Sequence, residues 1–73
     1  MDTKVARHYI REIDKRIRSA SDALGDGQAS SFEDYRRRAG EISALKQARA
    51  LFLDTLKAFY DGEIVEEVTD VDD

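Results

Sequence analysis

The sequence predicts an all-α fold: an antiparallel two-helix hairpin of coiled-coil type, with a longer second helix and an acidic C-terminal tail. Three observations carry this expectation. Apolar residues recur at alternating spacings of 4 and 3 from Ala6 to Leu24, which is the period of one helix face. A single cluster of turn-forming residues, 25–31, divides the body into two long segments. No proline interrupts either segment.

Helix 1 is expected over about residues 3–24, with Asp2 or Thr3 as its cap. Its stripe is Ala6, Ile10, Ile13, Ile17, Ala20 and Leu24, and Lys4, Arg7, Arg11, Lys15 and Arg18 lie off it. Gly25 stands just past the stripe, where a left-handed backbone conformation suits glycine. The connection 25–31 has a length that joins antiparallel neighbours. Ser30 with Glu33 reads as a capping box opening the second helix, and Ser31 with Asp34 is the alternative.

Helix 2 is expected over about residues 32–61, with Gly62 as its stop. Phe32, Tyr35, Ala39, Ile42, Leu45, Phe52, Leu56 and Phe59 follow one drifting face. Glu33 with Arg37, and Asp34 with Arg38, are i,i+4 pairs in the favourable order. The expected hairpin or self-association contacts are Ile10, Ile13, Ile17 and Leu24 against Ile42, Leu45 and Phe52. Arg49 falls on the same apolar face, so its guanidinium either reaches out past Phe52 or meets an acid of another chain.

Folding the chain at Gln28 sets Thr3 near Asp54, so helix 2 overhangs helix 1 and presents Leu53, Leu56, Phe59 and Tyr60. Either these residues form a partner-binding surface with Ile64 and Val65, or Ile64 and Val65 fold back over them. Residues 1–62 then make one helical domain, and 63–73 the tail. The tail lacks helix formers other than glutamate and is expected to be disordered alone. It could add to a partner's sheet edge, dock on a basic surface, or simply solubilise the chain.

Composition narrows the functional classes. A chain of 73 residues buries only about 60% of its unfolded surface and leans on staples or partners. There is no cysteine and one histidine, His8, so no disulfide, thiolate site or histidine cluster is expected, and no metal or cofactor. No serine sits in a Gly-x-Ser-x-Gly elbow, and Gly25 and Gly27 follow a helix, not a strand as a phosphate loop requires. The expectation is therefore not an enzyme. No apolar run spans a membrane and the N-terminus lacks a signal layout, so a cytoplasmic protein without membrane contact is expected. Residues 1–60 hold twelve bases and nine acids, whereas 61–73 hold seven acids and no base. Six bases fall in residues 4–18, yet the overall charge of −4 disfavours nucleic acid as the partner.

The segment Ser31-Phe32-Glu33-Asp34-Tyr35-Arg36-Arg37-Arg38, followed by Ala39-Gly40-Glu41-Ile42-Ser43-Ala44-Leu45, resembles small helical-hairpin proteins of tailed bacteriophages. Such proteins are often encoded among head, portal and packaging genes. The likeness covers roughly residues 20–56, and departs in the acidic tail and at Ala44, where glycine is the pattern. It carries no catalytic or binding residue. It implies a structural or assembly protein, present in the virion and, during assembly, in the host cytoplasm. The partner would be a larger viral protein of the capsid or portal region, or further copies of the chain as a homo-oligomer. The alternative is a small regulator whose acidic tail binds a host or phage nucleic-acid enzyme.

Overall fold

A computed structural model describes residues 3–60 and 62–69, which form α1 (Thr3–Gly25), α2 (Phe32–Phe59) and α3 (Gly62–Thr69). The all-helical expectation and the packing of two long helices hold. The disordered tail does not: its first part is a third helix, and residues 70–73 lie outside the described residues.

α1 buries Ala6, Ile10 and Ile13. Its end comes later than expected. The Gln28 N–H donates to the Ala23 carbonyl at 3.2 Å and the Gly27 N–H to the Leu24 carbonyl at 3.2 Å, the paired bonds of a Schellman motif. That places Gly27, at φ 75°, in the left-handed position, and leaves Gly25 inside the helix.

α2 starts from the second of the two capping alternatives. Ser31 is extended at φ −159°, and its hydroxyl accepts from the Asp34 N–H at 3.0 Å. The Asp34 carboxylate reaches back to accept from the Ser30 N–H at 3.0 Å, so two donors at the helix start are satisfied reciprocally. The helix ends when Tyr60 turns extended, φ −132°, while its N–H still bonds the Leu56 carbonyl at 2.8 Å. Gly62 is therefore the first residue of α3 and not the stop of α2.

α1 and α2 run in opposite directions: Asp14 lies against Arg49, and Tyr9 against Phe52. A turn centred on Gln28 would have brought Tyr9 near Ala48. The six residues 26–31 between the helices are themselves centred near Gln28, yet α1 is slid toward the C-terminal end of α2 by one to two turns. The overhang consequently appears at the loop end, where Phe32 is 74% exposed. At the other end α3 lies over the seam, with the Thr3 hydroxyl 3.1 Å from a Glu67 carboxylate oxygen.

The core is the cluster Ala6, Ile10, Ile13, Leu56 and Val68, with Ile17, Leu45, Phe52, Leu53, Ile64 and Val65 packed against it. Ile42 is also buried, and Leu24 is half-buried. Of the residues expected to join the two helices, Ile10, Ile13, Ile17, Leu45 and Phe52 lie in or against this cluster inside one chain. Ile10 and Val68 are the fully buried large side chains among the described residues, and they come from opposite ends of the sequence.

Candidate interaction surfaces

Two packed helices leave a groove on each flank of their seam, and α3 fills one. There Ile10 of α1 and Leu53 and Leu56 of α2 share one cluster with Val68 of α3, and Thr3 reaches Glu67. Of the residues expected to bind a partner, Leu56 is 5% exposed, and Leu53, Ile64 and Val65 are half-buried against the core. The fold-back arrangement is the one adopted, because α3 supplies Val68 as well as Ile64 and Val65 to cover the apolar end of α2. Phe59 remains 79% exposed and Tyr60 40%.

The other flank is open. A groove of about 330 Å³ runs along it, lined by Tyr9, Glu12, Ile13, Arg16, Leu45 and Ala48. Tyr9, which lines the groove, leans on Phe52, ring centroids 4.4 Å apart and planes tilted by 32°. Val5, four residues before Tyr9, is 67% exposed on the same side of α1. Phe59, two turns after Phe52, continues the row on α2. The groove thus has an apolar floor, one aromatic ring, and one acid and one base on its rim.

Charged groups at the seam are paired inside the chain. The Arg49 guanidinium donates to both carboxylate oxygens of Asp14, at 2.7 and 3.4 Å, with each side chain about one-third exposed. The expected escape past Phe52 or contact with another chain is replaced by an acid from α1, made available by the shifted register. At the start of α2, Arg38 donates to Asp34 at 3.0 Å, as expected. Arg37 departs from expectation: it bonds Asp34 at 2.6 Å and Glu41 at 2.8 Å, and not Glu33. The Ser30 N–H first, and then the two arginines, hold the Asp34 carboxyl well below its usual range, at about 2. Asp34 and Glu41 in turn push the Arg37 guanidinium upward.

Among the described residues no three His, Cys, Asp or Glu side chains are grouped so as to hold a metal ion. The Glu12 carboxylate that could join His8 lies 3.6 Å from Lys15. No buried side-chain nitrogen or oxygen lacks a hydrogen bond among these residues. No helix among them is long and apolar enough to cross a membrane.

Sequence reasoning missed the open flank. A signal was present: Val5, Tyr9 and Ile13 form a second row at helical spacing beside the main stripe. What was absent was any way to know which flank the tail would close. No protein-family model, curated protein or solved structure matches the chain.

Proposed function

We propose that this chain is a non-enzymatic structural or assembly protein that docks on a larger protein through the open flank of its α1/α2 seam. The observation that carries the reading is the row Val5, Tyr9, Phe52 and Phe59 beside an apolar groove, with Val5 and Phe59 largely in water. Fully burying one such side chain contributes about 1.5–3 kcal/mol, so a few of them drive association. A groove between two helices accepts the apolar face of a third, and the partner's contribution would be an amphipathic helix. The likeness of residues 20–56 to small proteins of tailed bacteriophages supports assembly of a virus particle as the setting. There the larger protein would belong to the capsid or portal region. Tyr60, and Phe32 at the loop end, lie outside this row and are secondary contacts.

Incorporation into particles produced in the host tests the reading. The chain should be retained in purified particles or their assembly intermediates. Phe59→Asp should be lost from them while circular dichroism shows unchanged helix, because Phe59 supports no core contact. Absence of the unaltered chain from every particle species, or full retention of Phe59→Asp, overturns the proposal.

A further inference from the structure

The outer face of α1 is basic along most of its length. Each residue advances the helix by about 100°, so Lys4, His8, Arg11, Lys15 and Arg18 fall within about 40° of a single line. All five are exposed. Ala6, Ile10 and Ile13 are turned to the opposite side, into the core. From Lys4 to Arg18 the line rises about 21 Å and is interrupted by no acid and no apolar side chain. Glu12, beside it, lies 3.6 Å from Lys15. Lys4, Arg7, His8 and Arg11 together line an open depression of about 240 Å³ near the helix start. Cations held there add to the partial positive charge of a helix N-terminus.

We infer that this face binds the phosphate backbone of a nucleic acid. The alternatives fit the geometry less well. A lipid surface is bound by a helix that can insert an apolar side, and the apolar side of α1 is already buried against α2 and α3. A protein interface is organised around an apolar centre, and this face has none. Phosphate contacts need only cations and donors spaced along a strand, and arginine offers two parallel N–H donors to each phosphate. The overall charge of −4 weakens the attraction, and the local row of cations on α1 has to outweigh it. The inference stands apart from the docking proposal: the two surfaces share no residue.

The experiment is fluorescence polarisation of a labelled 20-base-pair DNA duplex titrated with the full chain, at salt from 50 to 200 mM. Arg11, Lys15 and Arg18 give three contacts, a slope of about −2.7 in log affinity against log salt, and a loss of roughly 40-fold across that range. Arg11→Glu combined with Arg18→Glu should abolish binding, and Arg36→Glu on α2 should leave it unchanged. Lys15→Gln alone should lower the slope by about 1, which keeps the test valid if the double variant fails to fold. Absent binding at 50 mM, a flat salt dependence, or stronger binding to a polyglutamate peptide than to the duplex overturns the inference.

Discussion

The two flanks of the α1/α2 seam begin with similar material and end differently. On one, Ile10, Leu53 and Leu56 meet α3, and Val68 closes the space completely. On the other, Tyr9 and Phe52 lean on each other, Val5 and Phe59 are largely exposed, and none of the described helices lies over the row. Apolar content alone therefore does not decide which residues make the core. The third helix does: it is eight residues long and packs over one flank of the seam. Under the proposed function, the uncovered flank is where a partner completes the same kind of packing.

The comparison can be broken hardest at Val68. Val68→Asp places an unpaired charge in the closed flank and should cost about 3 kcal/mol in thermal unfolding, with amide exchange in 62–69 rising sharply. Phe59→Ala on the open flank should stay within about 0.5 kcal/mol of the parent. Equal losses in the two variants would mean that the flanks are not distinct. A smaller effect is expected at the seam itself. Asp14→Asn should cost about 1 kcal/mol, since the Arg49 pair is one-third exposed and partly screened, and a double-mutant cycle with Arg49→Met isolates that interaction.

The smallest effect is local and depends on pH. The Asp34 carboxyl sits at about 2 in the folded chain, below its unfolded value, so the folded state binds its proton less readily. Its contribution is complete above about pH 4 and is lost as pH falls toward 2. Amide signals of Ser30 and Asp34 should shift over that window, with the first turn of α2 fraying while the Val68 environment changes less. An unchanged first turn at pH 2 would remove the reciprocal cap from the account.

Much of the architecture was legible. The 4-3 spacing from Ala6 to Leu24 marks α1, and two overlapping capping pairs mark the start of α2, of which the alternative, Ser31 with Asp34, is the one formed, because periodicity and caps act over one or two turns. The third helix was not legible. Ile64, Val65, Val68 and Thr69 are β-branched and lie among acids, so local propensity is weak. Burial of Val68, Ile64 and Val65 against the seam supplies what propensity lacks. The partner of Arg49 was equally hidden, since a register shift of one to two turns brings Asp14 opposite it. Of the candidate site, Phe59 and Tyr60 were visible as exposed apolar residues, whereas Leu53, Leu56, Ile64 and Val65 were spent on the core.

By itself the sequence determined that this protein is helical, where its two long helices begin, and which face of α1 turns inward. These are short-range properties, set by side-chain spacing and by hydrogen bonds within a few residues. Only the tertiary structure decided how far the helices slide past each other, that residues 62–69 become helical, and which flank stays open. Those outcomes depend on contacts between residues far apart in the chain, where burying a few apolar side chains outweighs weak local preference.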